Sequence, residues 1–217
     1  MQKDLGNYRK SYEKSSLTEG VISDNPMELF QKWFYEVEAS DGVDEPNAMT
    51  VSTIGLDGFP KNRVVLLKKY TFEGFIFYTN YESAKGQDIA ENPNTEALFF
   101  WHKLERQIRI SGSIAKIDAD KSAAYFQKRP HDSQVGAWVS QPQSGEVANR
   151  EVMEQTFEQL KTDYPEGAAV PTPEFWGGYE ITVNEIEFWQ GRANRMHDRI
   201  VYHKEADGSF STKRLLP

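Results

Sequence analysis

The apolar positions along this chain follow two distinct patterns. After Asn25-Pro26 the apolar positions recur at helical spacing, which predicts an amphipathic helix that ends near Asp41-Gly42. These apolar positions are Leu29, Phe30, Trp33, Phe34 and Val37. The polar residues 1–25 lack this periodicity. We expect a partly flexible N-terminal segment there, followed by one domain over residues 26–217.

From residue 49 onward, short apolar runs alternate with turn signals such as Asp57-Gly58 and Glu73-Gly74, a pattern typical of an antiparallel meander. The predicted strands are 49–54, 63–68, 75–79, 97–101, 107–117, 179–189 and 199–202, with a last hairpin through Asp207-Gly208. Helices are predicted at 83–92, 118–129, from 132 or 133 onward, and at 149–162. The fold class is therefore mainly β (α+β), with six to eight antiparallel strands in a small barrel and peripheral helices.

The run Arg63-Val64-Val65-Leu66-Leu67-Lys68 combines four apolar residues with a cation at each end, which predicts a buried strand. Two interpretations stay open: a core strand with solvated end charges, or a strand that carries two functional cations. In a regular strand Arg63 and Lys68 point to opposite faces. They would then bind two anions, or lie at a seam between two subunits.

Composition narrows the classes of partner. The 217 residues carry a formal net charge of −8, which argues against nucleic acid as the main partner. The absence of Cys excludes disulfides and thiolate chemistry, and no apolar run approaches the length of a membrane span. No phosphate-loop, dinucleotide-fold or metal-ligand spacing is present. We expect a soluble, cytoplasmic protein in which cations gather locally around a small anion.

Two groups of side chains are candidates for such a site. Tyr125 and Arg129 share a helix face, and Ser133 follows where the next helix begins, an arrangement suited to a phosphate. Arg129 could instead pair with Asp132. Near the C-terminus, Arg195, His197 and Arg199 would share one face if their segment is extended, with Trp189 as a flat wall. The alternatives there are an anionic planar ligand and a solvated edge strand.

Several separate motifs, in this order, resemble the pyridoxamine (pyridoxine) 5'-phosphate oxidases from about residue 5 to the C-terminus. They are RVVLLK at 63–68, FYTN at 77–80, WHKLERQ at 101–107, RPHDSQVGAWVS at 129–140, FWGGY at 175–179, IEFWQG at 186–191, RMHDR at 195–199 and RLLP at 214–217. The resemblance implies an FMN-binding split barrel and a homodimer with FMN at the subunit interface. It implies oxidation of pyridoxamine 5'-phosphate and pyridoxine 5'-phosphate by O2 to pyridoxal 5'-phosphate, with release of H2O2.

The resemblance also assigns roles to individual residues. FMN contacts would be Arg63, Val64, Val65, Leu66, Leu67, Lys68, Tyr78, Thr79, Lys85, Gln107, Gln143, Ser144, Trp189 and Arg199. Substrate contacts would be Arg9, Lys10, Ser11, Tyr12, Lys68, Tyr125, Arg129, Ser133, Arg195, Met196 and His197. Arg195 and His197 would align the substrate and handle its proton, and the segment around Tyr12 would close over it.

Three departures from the family pattern are visible. Ala84 stands where a basic residue is usual, and Arg192-Ala193-Asn194 differs from the common version. Residues 140–144 are one residue longer than usual, so that either Gln141 or Gln143 contacts the flavin. Two other functions remain open: a different split-barrel flavin oxidoreductase, and a non-enzymatic carrier of pyridoxal phosphate.

Overall fold

The computed structural model describes residues 3–8 and 10–217, so Arg9, an expected substrate contact, lies outside the described residues. The described chain forms five α-helices and nine β-strands, and none of its helices has the length and hydropathy to cross a bilayer. The helices are α1 (Pro26–Glu38), α2 (Ala84–Glu91), α3 (Ala119–Phe126), α4 (His131–Val139) and α5 (Arg150–Asp163). The strands are β1 (Ala48–Ile54), β2 (Pro60–Leu66), β3 (Lys69–Tyr70), β4 (Gly74–Asn80), β5 (Asn94–Trp101), β6 (Arg106–Lys116), β7 (Trp176–Gln190), β8 (Asp198–Lys204) and β9 (Phe210–Arg214).

The strands pair in the order β2-β1-β5-β6-β7-β4-β3, and β8 pairs with both β7 and β9. The pairs β3–β4, β4–β7, β7–β8 and β8–β9 are antiparallel. The predicted mainly β class with peripheral helices is confirmed. The described residues contain one strand more than the predicted six to eight, because the two-residue β3 is too short to leave an apolar pattern.

The chain divides into two compact units, and each is considered by itself. The first unit comprises Met1–Thr50, Glu96–Ser111 and Val183–Pro217, and the second comprises Val51–Thr95 and Gly112–Thr182. The predicted division into a 1–25 segment and a 26–217 domain stays a prediction.

Helix α1 provides the apolar face of the core in the first unit. The helix begins at Pro26, and its start is capped because the Asn25 side chain accepts the Met27 N–H at 2.9 Å. Phe30 is fully buried, and its ring centroid lies 5.4 Å from that of Phe99 on β5. Burying one such aromatic side chain is worth about 1.5–3 kcal/mol. The helix ends at Glu38, earlier than the predicted end near residue 41.

A smaller core in the second unit holds α3, α4 and the start of β7 together. It consists of Phe126, Val135, Val170 and Trp176, all buried. Between α3 and α4 the chain makes a tight turn, in which the Arg129 N–H donates to the Phe126 carbonyl at 3.1 Å. Helix α3 therefore ends three residues before the predicted end. The turn leaves Arg129 next to this core.

The prediction of a buried strand at 63–68 was wrong in two respects. Strand β2 ends at Leu66, so Leu67 and Lys68 lie beyond it, and the Lys68 N–H instead donates to the Ile76 carbonyl at 2.8 Å. The strand is also largely uncovered, because β2 is the last strand in the pairing order; Val64 is 67% exposed and only Leu67 is buried. An apolar run does not distinguish a strand inside a sheet from one at its edge.

Gly86, in the first turn of α2, offers a test of the packing of this helix against the chain that precedes it. A Cβ at this position would lie 1.9 Å from the Tyr81 carbonyl oxygen, so the backbone would have to move. We expect Gly86→Ala to lower the free energy of unfolding by about 1–3 kcal/mol in urea titrations, as overpacking does. The control is Gly136→Ala in α4, where a Cβ meets nothing within 4 Å. It should leave stability unchanged or raise it by up to about 1 kcal/mol. Equal stabilities of the two variants would contradict the predicted clash.

Candidate functional site

Three cavities contain many of the side chains singled out from the sequence. We call them the lysine cavity (about 490 Å³), the arginine cavity (about 350 Å³) and the N-terminal cavity (about 520 Å³). The lysine cavity is lined by Arg63, Val64, Val65, Leu66, Lys68, Tyr78, Thr79, Ala84, Lys85, Gln143 and Ser144. The arginine cavity is lined by Tyr78, Thr79, Asn80, Arg129, Ser133, Gly136, Ala137, Ser140, Gln143 and Trp176. The N-terminal cavity is lined by Tyr8, Lys10, Ser11, Tyr12, Arg192, Asn194, Arg195 and His197.

The two ends of the 63–68 run line the same cavity. Because the chain leaves the strand after Leu66, Lys68 is not held to the strand alternation that would have set it opposite Arg63. Both side chains therefore contribute positive charge to the lysine cavity. The two alternatives left open by the sequence, two separate anions or a seam between two subunits, stay predictions.

Arg63 is fixed by neighbours from β1 and α2. Its Nη1 donates to Thr53 Oγ1 at 2.7 Å and to the Val51 carbonyl at 3.2 Å, while its Nη2 lies 3.5 Å from an oxygen of Asp88. Burial lowers the pKa of Arg63, and the charge of Asp88 offsets this only in part. The Arg63 guanidinium is thus held in place and can still bind a negatively charged ligand.

Lys85, the second residue of α2, faces the same cavity. Its Nζ donates to Thr79 Oγ1 at 3.0 Å, Ser83 Oγ at 3.2 Å and Gln143 Oε1 at 3.4 Å, all of them neutral groups. Burial lowers the pKa of Lys85, and repulsion by Arg63 lowers it further. A phosphate bound between the two cations would remove that repulsion, so the residues present fit a phosphorylated ligand.

The lengthened loop 140–144 presents Gln143, and not Gln141, to the two cavities. Gln143 lines both and accepts from Lys85. The Gln141 side chain instead bonds to Asn80 and donates to Glu82. Gln143 is thus the glutamine of this loop that lines the cavities, and which of the two contacts flavin stays a prediction.

In the arginine cavity, Arg129 lies against aromatic rings and has a buried nitrogen without a partner. Its guanidinium carbon is 4.8 Å from the Trp176 ring centroid and 5.5 Å from that of Phe126. The Arg129 Nη1 is buried and has no hydrogen-bond partner among the described residues. Burial also lowers the pKa of Arg129. An unpaired buried donor is costly, which indicates that this nitrogen is oriented for an anionic ligand.

Of the three other expected phosphate contacts, one lines the arginine cavity and two do not. Ser133, in the first turn of α4, lines the arginine cavity beside Arg129. Tyr125 is not among the lining residues; its ring stacks on Tyr78 at 3.9 Å between centroids and 14° between planes. Lys68 is exposed and lines the lysine cavity. The roles of Tyr125 and Lys68 toward substrate stay predictions.

The N-terminal cavity lies in the first unit and brings the segment around Tyr12 together with His197. The Tyr12 ring centroid is 5.9 Å from that of Trp189 and 5.8 Å from that of His197, and the last two are 4.6 Å apart. Lys10, Ser11 and Tyr12 were expected to close over a ligand, and all three line this cavity. The structure therefore places them beside the expected catalytic pair.

The hydrogen bond made by His197 determines where its proton lies. The Arg192 N–H donates to His197 Nδ1 at 3.1 Å, so the neutral ring carries its hydrogen on Nε2. Burial lowers the pKa of His197, and the charge of Arg195 lowers it further. Both effects favour the neutral form of His197, in which Nε2 is the donor.

The expectation of an extended segment with Arg195, His197 and Arg199 on one face was wrong. Asn194 and Arg195 have φ of 57° and 61°, in the left-handed region, and β8 begins only at Asp198. This turn breaks the strand alternation that would have aligned the three cations. Arg195 is exposed and Met196 is 69% exposed.

Four further predicted flavin contacts are not among the lining residues of the three cavities: Arg199, Trp189, Gln107 and Leu67. Arg199 donates from Nε and Nη2 to the two carboxylate oxygens of Glu187 at 2.8 and 2.9 Å, which raises its pKa. Trp189 is its register partner across β7 and β8. Gln107 is half-buried in β6, and Leu67 is buried.

Sequence reasoning missed the carboxylates that hold the N-terminal segment. Glu105 Oε2 accepts the Glu13 and Lys14 backbone N–H groups at 2.9 and 3.1 Å. Asp198 Oδ2 accepts the Leu17 N–H at 3.0 Å. Glu105 belongs to the motif WHKLERQ and Asp198 to the motif RMHDR, but neither acid was predicted to have a role.

Comparison with known proteins gives consistent matches over the chain. The family model described as pyridoxamine 5'-phosphate oxidase matches residues 36–163, and that described as pyridoxine 5'-phosphate oxidase C-terminal dimerisation region matches residues 176–217. The pyridoxine/pyridoxamine 5'-phosphate oxidase of Psychrobacter cryohalolentis is 76% identical over 217 residues, covering all of both chains.

Two solved structures share the fold. The crystal structure of PhzG from Burkholderia lata, in complex with tetrahydrophenazine-1-carboxylic acid, has a TM-score of 0.86 at 26% identity and covers 96% of this chain and 100% of that one. A pyridoxamine 5'-phosphate oxidase-related, FMN-binding protein from Nostoc punctiforme has a TM-score of 0.71 at 15% identity and covers 90% of this chain and 100% of that one. The predicted split-barrel fold is confirmed.

The bonds of Asp198 predict an acid-dependent loss of stability. Burial opposes its ionisation, but hydrogen bonds from the Leu17 N–H, Arg192 and Arg214 outweigh burial and lower its pKa below 3.8. A lowered pKa stabilises the fold fully above the ordinary value, and this contribution is lost as the pH falls through the lowered value. We expect Asp198→Asn to cost about 1–3 kcal/mol at pH 7 in urea titrations. The difference from wild type should shrink below about pH 3.8.

The matched control for this prediction is Asp163→Asn, at the exposed end of α5, which should change stability by less than about 0.5 kcal/mol. A difference between Asp198→Asn and wild type that stays constant down to pH 2 would contradict the assignment.

Proposed function

This chain belongs to the pyridoxamine 5'-phosphate oxidase family, and from that premise we propose that it oxidises pyridoxamine 5'-phosphate and pyridoxine 5'-phosphate to pyridoxal 5'-phosphate. Dioxygen is the electron acceptor and H2O2 the second product. The chain is an oxidoreductase of this family, and the specific substrates and acceptor are the proposal.

The observation that carries the proposal is the buried, unpartnered Nη1 of Arg129 in a cavity that adjoins the lysine cavity. The two cavities share Tyr78, Thr79 and Gln143. Each contains a cation whose pKa is lowered by burial, Lys85 in the lysine cavity and Arg129 in the arginine cavity. Two phosphates in adjoining places are what a phosphorylated cofactor and a phosphorylated substrate require.

FMN is the proposed cofactor, and the lysine cavity would hold its phosphate. Arg63 and Lys85 would neutralise the phosphate, and Gln143 and Ser144 would provide polar contacts from the loop. When bound, FMN would supply the redox chemistry, in which a hydride leaves the substrate carbon that bears the amine or alcohol and the electron pair passes on to dioxygen. Ala84 lines the same cavity, where a basic residue is usual, so the proposal assigns the phosphate to Arg63 and Lys85 with one cationic contact fewer.

This chain's own residues would bind and orient the substrate. Arg129 would take the substrate phosphate through its unpartnered Nη1, with Ser133 beside it. His197 would donate a hydrogen bond from Nε2, because its Nδ1 is occupied by the Arg192 N–H. Arg195 would supply a positive charge next to it. The protein contributes placement, which by itself can account for several kcal/mol of the barrier.

A homodimer with FMN at the subunit interface is part of the proposal. Trp189, Arg195, His197 and Arg199 all lie in residues 176–217, the region that matches the dimerisation model. In a dimer, one subunit would supply the lysine and arginine cavities and its partner would supply these residues. The exposed Val64, which lines the lysine cavity, fits a surface that a ligand and a second subunit cover.

The decisive experiment mixes FMN-supplemented protein with each phosphorylated vitamer in air and measures pyridoxal 5'-phosphate and H2O2. We expect both products in equal amounts, and none without FMN. Bound flavin with no turnover of either vitamer would favour a different flavin oxidoreductase. Bound pyridoxal phosphate without flavin would favour a carrier. Either result would overturn the proposal.

Arg129→Ala tests the substrate phosphate site. Losing a hydrogen bond to a charged group costs about 1.5–3 kcal/mol, which is roughly a 10- to 150-fold rise in KM for pyridoxamine 5'-phosphate. Flavin affinity should stay within about threefold, since Arg129 is outside the lysine cavity. The control is Arg150→Ala, whose side chain is 87% exposed and pairs only locally with Glu154. An unchanged KM in Arg129→Ala would refute this role.

Arg195→Leu tests the predicted role of Arg195 in aligning the substrate ring. We expect turnover to fall by about 100-fold, the scale of a misplaced substrate, while the dissociation constant of FMN changes by less than about threefold. Initial rates at saturating FMN and equilibrium dialysis measure the two quantities. Parallel losses of flavin and activity would show that Arg195 acts through the cofactor instead.

A further inference from the structure

Glu105 is a buried acid that has no role in the function proposed above. It lies in the turn between β5 and β6, in the left-handed backbone region at φ 56°, and its side chain is 2% exposed. Oε2 accepts two backbone N–H groups, from Glu13 at 2.9 Å and Lys14 at 3.1 Å. Oε1 lies 3.2 Å from Lys10 Nζ. One carboxylate therefore binds three groups of the N-terminal segment.

The main chain of Glu105 is itself held firmly. Its carbonyl accepts the Gly191 N–H at 2.7 Å and the Gln190 side-chain amide at 3.2 Å. Next to it, a Cβ at Gly191 would lie 2.9 Å from Tyr12 Cβ, so the segment packs directly against the backbone there. The carboxylate is thus presented from a fixed base to a closely packed segment.

The bonds to Glu105 flank the residues that wall the N-terminal cavity. Lys10 on one side and Glu13 and Lys14 on the other are bound to the carboxylate, and Tyr12 lies between them. The Tyr12 ring in turn contacts His197 at 5.8 Å between centroids. Moving the carboxylate would release this wall of the cavity.

We propose that Glu105 is a positioning residue that holds Lys10–Lys14 in place as one wall of the substrate cavity. Glu105 is not among the residues that line the cavity, and it acts through Tyr12 and Lys10, which are. That the cavity receives substrate rests on the proposed function, whereas the attachment of the segment does not.

The N-terminal segment has a second attachment point, at Leu17, which allows the role of Glu105 to be distinguished from a general effect on folding. The Leu17 N–H is bound by Asp198 at 3.0 Å, and the Leu17 side chain is 1% exposed. Loss of Glu105 would therefore free the segment only on the N-terminal side of Leu17. Burial opposes ionisation of Glu105, but the hydrogen bonds outweigh it and lower its pKa, so the carboxylate is charged at neutral pH.

Amide hydrogen exchange, measured without flavin or substrate, tests the attachment. In Glu105→Ala both acceptor oxygens are gone, and exchange at Glu13 and Lys14 should accelerate by about tenfold or more, the effect of one lost hydrogen bond to a charged group. Glu105→Gln keeps one oxygen and should rescue most of the protection. Exchange at Leu17 should stay unchanged in both variants.

The matched control is Glu154→Gln, the same substitution at an exposed ion pair with Arg150, which should alter none of these amides. Unchanged exchange at Glu13 and Lys14 in a folded Glu105→Ala protein would overturn the proposal. Equal acceleration at Leu17 would also overturn it, because the effect would then be general unfolding.

Steady-state kinetics test the link to substrate. We expect Glu105→Ala to raise KM for pyridoxamine 5'-phosphate by about tenfold with kcat within about twofold, because binding is lost equally before and during the reaction. Faster exchange with an unchanged KM would refute the positioning role alone. A wild-type protein that oxidises neither vitamer would refute the proposed function, and the exchange data would still decide the attachment.

Discussion

Positive charge held away from water without a fixed negative partner is the constraint on which this site depends. Arg129 keeps a buried, unpaired nitrogen, and Lys85 bonds to neutral groups while Arg63 repels it. Leaving such groups unsatisfied costs stability that the rest of the fold must supply. The arrangement is consistent with the proposed binding of two phosphates, which would satisfy the donors and cancel the repulsion.

Buried carboxylates have the opposite role in the first unit. Glu105, Asp198 and Glu187 have backbone N–H groups or arginines as partners, so their charges are compensated within the protein. A compensated buried charge gives a rigid, directional anchor. These acids hold the N-terminal segment and Arg199 in place, whereas Arg129 in the second unit keeps a buried nitrogen without a partner among the described residues.

Much of the site could be predicted because its chemistry resides in residue type and motif order. The cations at 63, 85 and 129 were identified from sequence, and the structure places all three in adjoining cavities. The acids at 105 and 198 were missed, because a carboxylate beside an arginine in sequence reads as an ordinary surface pair. Their importance comes from N–H groups some 90 and 180 residues away, which no local pattern contains.

By itself, the sequence determined the class of fold, the ends of most elements and the cationic character of the site, because periodicity, capping residues and charge are local properties. Tertiary structure alone decided that β2 ends at Leu66 and lies uncovered, that Arg195 sits in a left-handed turn, and that Gln143 instead of Gln141 faces the cavities. The physical reason is that exposure, backbone strain and hydrogen-bond partners depend on which distant segments meet. That information exists only once the chain has packed.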